Sequence, residues 1–203
     1  MLNWKDFNNM RLFKSLRLKP SATIEIESAT TAGAVTSVSA TELAVLDGLT
    51  PTTAMLNRAA DTSTRVVSTT ATTLAVTAAS HGSKVVKVAS AAPIAITLPA
   101  ATGSGEVFTF VVSVDATATA HTIKVANTAD ALTGVSVLAT TATGEVTGFA
   151  TTATDDTISL NGTTKGGAKG DKIEIIDVAT NIFQVSIIGR ATGTVVTPFS
   201  ATV

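Results

Sequence analysis

Two histidines, one pair of adjacent aspartates and one stretch rich in glycine and lysine are the parts of this chain that chemistry could use. His81 and His121 each stand alone at the edge of a strand-like run. A metal site needs several ligands converging on one point, and no carboxylate lies at ligand spacing from either imidazole. Asp155-Asp156 has the composition of a calcium or acid–base pair. Neighbouring residues on a strand point to opposite faces, however, and Asp is common where strands begin because it bonds turn N–H groups. Both histidines and both aspartates are therefore read as structural.

The stretch GTTKGGAKGDK, residues 162–172, mixes glycine and lysine as phosphate-binding loops do. A cradle of the GxxxxGK[ST] kind lies between a strand and a helix, with backbone N–H groups aimed at phosphate. Here the spacing fails, no Ser or Thr follows Lys169 or Lys172, and strand-like sequence flanks both sides. The expectation is a flexible, solvated hairpin tip. Asn161-Gly162-Thr163 has the spacing of a glycosylation site, but no secretory leader gives it meaning. Ser and Thr abound without a nucleophile elbow or a His–acid set to activate them. With no cysteine, thiol chemistry and disulfides are excluded as well. These residues predict no enzyme, no metal and no cofactor.

The elements that carry these residues change character about sixty residues in. Residues 1–19 hold Lys5, Arg11, Lys14, Arg17 and Lys19 against the single acid Asp6, while the rest of the chain has nine basic and fourteen acidic side chains. A basic leader on a mildly acidic body suits an acidic partner surface. Without a basic stripe in the body, nucleic acid is not the expected partner. Trp4, Phe7, Met10, Phe13 and Leu16 recur every third residue. That spacing fits a short helix with a slanted apolar stripe, and equally an extended arm that orders on a partner. Aromatic side chains beside Arg and Lys are enriched at binding hot spots, so the leader is read as an interface. No window approaches the ~18–20 apolar residues of a membrane span.

Pro20 closes the leader, and ATIEIE (22–27) alternates like a short strand. Ser39 and Glu42 have the spacing of a capping box, followed by Leu43 and Leu46 and then Asp47-Gly48. Thr50-Pro51 opens a second helix with Met55, Leu56 and Ala59 on its apolar side. Helices this short need something to pack on, either the body or neighbouring copies of the chain.

From residue 64 the periodicity becomes two. Strands are expected near 65–69, 73–77, 83–89, 94–98, 106–114, 121–126, 133–139, 145–149, 157–161, 171–177, 181–188 and 193–197. Their short, even spacing predicts an antiparallel β-sandwich, jelly-roll-like or barrel domain. No intervening helical pattern supports a parallel βαβ sheet. The expected organisation is a basic anchor arm (1–19), a linker with short capped helices (20–63) and a β domain (64–203).

The segment SATELAVLDGLTPTTAMLNRAADTSTRVV (39–67) resembles a segment that recurs in tailed-bacteriophage virion proteins, where "ELxxLDG" and "xxLNRxAD" units lead from an attachment region into a β domain. ITLPAATGSGEVFTFVVSV (96–114) is similar to a Leu-Pro-Ala turn and aromatic strand of phage fibre and head-decoration domains. GTVVTPFSATV (193–203) is similar to the ending of such proteins. The resemblance implies a virion structural protein and, as the usual state of the family, a homotrimer.

The expectation is a capsid decoration (cement) protein on the outer capsid surface. It binds the major capsid protein through Trp4, Lys5, Phe7, Arg11, Phe13, Lys14 and Arg17, with oligomerisation through Leu43, Leu46, Met55 and Leu56. The second reading is a head or tail fibre whose β domain binds a host surface receptor or glycan. A lone Trp in the leader and a complete lack of Tyr weigh against glycan stacking. Neither nucleic acid nor membrane is expected as a partner.

Overall fold

The computed structural model describes Thr23–Glu27 and Val35–Ser39 as strands, and then residues 65–117, 120–141 and 143–203. The chain divides into two compact units, Met1–Ala60 and Asp61–Val203. In the first, β1 (Thr23–Glu27) and β2 (Val35–Ser39) pair antiparallel, Thr23 opposite Ser39 and Glu27 opposite Val35. The alternating run at 22–27 is thus a strand. The leader and the two helices expected within 39–61 lie outside the described residues.

The second unit is mainly β and sandwich-like, built from two sheets. One has seven strands in the order β10-β9-β13-β12-β7-β5-β3, the other five in the order β14-β11-β8-β6-β4. The chain begins by alternating between them. β3 (Val66–Thr69), β5 (Val85–Val88) and β7 (Val107–Val112) lie parallel in the first sheet. β4 (Thr73–Ala75), β6 (Ala95–Thr97) and β8 (His121–Lys124) lie parallel in the second. A one-turn helix, α1 (Ala78–His81), follows β4 and is capped by the Thr77 hydroxyl.

The expectation of antiparallel strands throughout is therefore corrected: both sheets are mixed. Parallel neighbours within one sheet need a crossover, commonly a helix. In the runs β3, β5, β7 and β4, β6, β8 each crossover passes through a strand of the opposite sheet, so parallel pairing arises with no helical pattern in the sequence.

The later strands close the sheets. β9 (Ala131–Thr140) and β10 (Val146–Ala150) form a hairpin. β11 (Thr157–Leu160) joins the second sheet between β8 and β14 (Phe199–Ser200). β12 (Lys172–Ala179) and β13 (Ile182–Ala191) pair antiparallel, and β13 then runs parallel to β9. The stretch 193–197, expected as a strand, is not one. Val196 N–H donates instead to the carbonyl of Thr164 in the 162–172 loop, and the strand begins after Pro198.

Alternation decides which residues enter the core. In β7, Phe108, Phe110 and Val112 are buried while their neighbours are partly exposed. Ile173 and Ile175 of β12 sit opposite Phe110 and Phe108, and Phe183, Val185 and Ile187 continue the layer on β13. Ile96, Ile123, Ile158 and Leu160 form the facing layer. Full burial stabilises by about 1.5–3 kcal/mol for each such side chain.

Candidate functional site

The outward face of the seven-stranded sheet is unusually apolar. Along β13 the outward residues are Ile182, Gln184, Ser186, Ile188 and Arg190. Register places Ile188 beside Val137 of β9 and Lys172 of β12, and Ser186 beside Val135 and Glu174. Val146 of β10 lies opposite Ala139. Ile188 and Val146 are each 64% exposed, with Val135, Val137 and Ile182 also exposed. Lys172 and Glu174 neutralise each other at 2.8 Å. A contiguous aliphatic run of this kind marks an interaction surface more often than ordinary solvated sheet. At the rim of the sheet, β10 is an edge strand, with backbone groups that a neighbouring chain can pair or cover.

At the end of this face lies a cleft of about 240 Å³ lined by Asp115, Thr141, Gly162, Ala168, Arg190, Ala191 and Thr192. Its wall is the 162–172 loop. The expectation of a flexible tip is overturned here, because the loop is tied down at nearly every residue. Gly162 N–H donates to Gly166 O at 2.7 Å, Ala116 N–H to Gly167 O at 2.9 Å and Thr192 N–H to Thr163 O at 2.9 Å. Asn161 Oδ1 accepts from the N–H groups of Thr163 and Lys165.

The anchor is Asp171, which is 2% exposed. Its Oδ2 accepts from Gly167 N–H at 2.8 Å and Ala168 N–H at 3.0 Å, and its Oδ1 from Arg190 N–H at 3.0 Å. Burial raises its pKa above the ordinary value, outweighing these hydrogen bonds and the nearby Arg190 charge, which pull it down. Two glycines permit the arrangement. Gly167 takes a positive φ of 94°, and a Cβ on Gly189 would lie 2.7 Å from Asp171 Oδ2.

A second buried acid, Asp177, gathers the turn of the 96–114 segment. Its carboxylate accepts from the N–H groups of Thr102, Gly103 and Ser104 and from the hydroxyls of Thr102 and Ser104. Burial alone would raise its pKa, but these hydrogen bonds, those of Ser104 foremost, overcome it and hold the value at about 2.

The residues singled out for chemistry are dispersed among local structural roles. His81 accepts from Thr77 N–H at 3.1 Å, closing α1. His121 is 1% exposed, and its Nδ1 accepts from Ile94 N–H at 3.1 Å. Burial lowers its pKa, against a smaller opposing effect of a backbone hydrogen bond with Ser90. Asp155 accepts from Thr152 N–H, whereas Asp156 accepts from the Thr157 hydroxyl and from Thr202 and Val203 N–H groups. Burial acts to raise the pKa of Asp156, but those hydrogen bonds together lower it. Among the described residues no three His, Asp or Glu side chains gather as metal ligands.

Trp4, Lys5, Phe7, Arg11, Phe13, Lys14 and Arg17, and likewise Leu43, Leu46, Met55 and Leu56, lie outside the described residues. The cleft was missed in the sequence because Asp115, Thr141, Arg190 and Thr192 come from separate segments. One local signal pointed to it: four glycines, Gly162, Gly166, Gly167 and Gly170, crowd a stretch that ends on Asp171, and all four take positive φ in the fold. No protein-family model, curated protein or solved structure matches the chain.

Proposed function

We propose that this chain is a capsid decoration (cement) protein of a tailed phage, non-enzymatic, trimeric and displayed on the outer surface of the head. The observation that carries the reading is the exposed aliphatic run of Val135, Val137, Val146 and Ile188 on the outward face of the seven-stranded sheet. Its charged neighbours Lys172 and Glu174 cancel each other. The phage-like segments at 39–67 and 96–114 support the same reading, and the second of them is the turn gathered by Asp177.

The mechanism is mass action. A protein that binds the assembled shell, and not loose subunits, shifts the equilibrium toward the shell. The basic leader, with Trp4, Phe7, Arg11 and Arg17, meets an acidic rim of the major capsid protein. Linking three such feet raises avidity by ~10²–10⁴ over one contact.

The test is to locate the protein on intact particles, delete residues 1–19 and measure incorporation. The reading expects many copies on the head, loss of incorporation on deletion, and particles that burst at lower temperature without the protein. Full incorporation of the truncated chain removes the anchor assignment. Unchanged burst temperature removes the cement assignment.

A further inference from the structure

We propose that the cleft at the end of the sheet binds a single sugar ring bearing a carboxylate, the repeating chemistry of acidic surface polysaccharides. The inference is independent of capsid binding and rests on what the cleft offers. Asp115 and Arg190 are both fixed by one residue of the loop: Lys169 N–H donates to Asp115 Oδ1 at 2.6 Å, and the Arg190 guanidinium donates to the Lys169 carbonyl. Asp171 in turn holds the loop to the Arg190 backbone. The charged groups are therefore oriented before any ligand arrives, which removes part of the ordering cost of binding.

The chemistry favours a sugar acid over a simple anion. A guanidinium has five N–H donors in a fork that matches a carboxylate. Asp115 stands in the same cleft and would repel a compact dianion such as phosphate, but it accepts hydrogen bonds from sugar hydroxyls. Thr141 and Thr192 line the cleft as well and complete a hydroxyl-matching set. At about 240 Å³, the space equals roughly eight waters at ~30 Å³ each, enough for one sugar ring. Among the described residues no aromatic side chain lines the cleft. Recognition is thus by hydrogen bonding and charge without stacking, weak at each site and useful only when several copies act together.

Saturation-transfer NMR with the full chain tests this, observing glucuronate, glucose and acetate, with acetate and inorganic phosphate also added as competitors. Transfer to glucuronate is expected to exceed that to glucose, with neither acetate nor phosphate displacing it at equal concentration. Arg190→Ala is expected to weaken glucuronate by about tenfold or more, the loss of a hydrogen bond to a charged group, with Arg190→Lys intermediate. Arg190 is exposed, and the backbone bond to Asp171 survives these changes, so unchanged thermal unfolding serves as the folding control. Thr192→Val is a second variant, expected to weaken glucuronate while leaving acetate unaffected. Displacement by acetate or phosphate would make the cleft a plain anion site and overturn the proposal. Equal binding by wild type and Arg190→Ala, or no transfer to glucuronate, would overturn it too.

Discussion

Asp171 Oδ1 accepts the backbone N–H of Arg190 at 3.0 Å, so a buried carboxylate sets the position of the most prominent cation of the cleft. The same carboxylate holds Gly167 and Ala168 through Oδ2. One side chain thus joins the 162–172 loop to the end of β13.

Replacing Asp171 with Ala strands three buried or part-buried N–H groups. Each unsatisfied group costs about 1–3 kcal/mol, so a loss of at least about 2 kcal/mol is expected in urea unfolding. The pKa of Asp171 is raised by burial. Its contribution is full below the ordinary value of 3.8 and is lost as pH rises through the folded pKa. Asp171→Asn, which cannot ionise, should therefore cost more at pH 3 than at pH 7. A cost independent of pH would refute the burial argument.

Asp177 has the opposite sign. Its folded pKa of about 2 lies below the ordinary 3.8. The stability it confers is complete above pH 3.8 and disappears as pH falls toward 2. The shift corresponds to about 2 kcal/mol. Asp177→Asn should flatten the acid limb of the stability curve by that amount, read as urea midpoints across this range.

His121 adds a separate acid sensitivity. Because burial lowers its pKa, the neutral form is favoured in the fold, and stability falls as pH drops through 6.5. His121→Leu leaves Ile94 N–H without its acceptor, costing about 1–3 kcal/mol at pH 8. The same variant should close part of that gap on wild type at pH 5. Parallel melting curves for the two proteins across this range would count against a buried neutral imidazole.

The aliphatic face predicts association. Ile188→Lys and Val146→Lys replace exposed side chains, so monomer stability should move by no more than about 0.5 kcal/mol. Sedimentation should nevertheless show the proposed trimer reduced to monomers. An unchanged mass in both variants would place the self-association surface elsewhere.

Much of the β body is legible in the chain, because period-two runs such as VFTFVV have only one comfortable way to bury Phe108 and Phe110. Strand direction is not legible, since side-chain alternation is identical in parallel and antiparallel ladders. α1 escapes because a single turn set by Thr77 carries no periodicity. At 193–197 the alternation of Val195 and Thr197 misleads, as the backbone there bonds to a loop and not to a ladder. The cleft is illegible for a different reason: Asp115, Thr141 and Arg190 meet only through tertiary pairing. The loop beside it looked solvated because sequence alone does not reveal that Asp171 is buried beneath it.

The position of β13 has a consequence for how the molecule is made. It separates β9 from β12 in the finished sheet, although its pairing with β9 joins residues about fifty apart, as Leu132 and Phe183 are. The first parallel pairs, such as β3 with β5 and β4 with β6, join residues about twenty apart and can form as they leave the ribosome, but long-range closure is slow. Until β13 arrives, the β9–β10 hairpin has no place in the sheet, and Val137 has no Ile188 beside it. The surface proposed to gather three copies therefore comes into being only with the last long strand. On that proposal, self-recognition is withheld from unfinished chains.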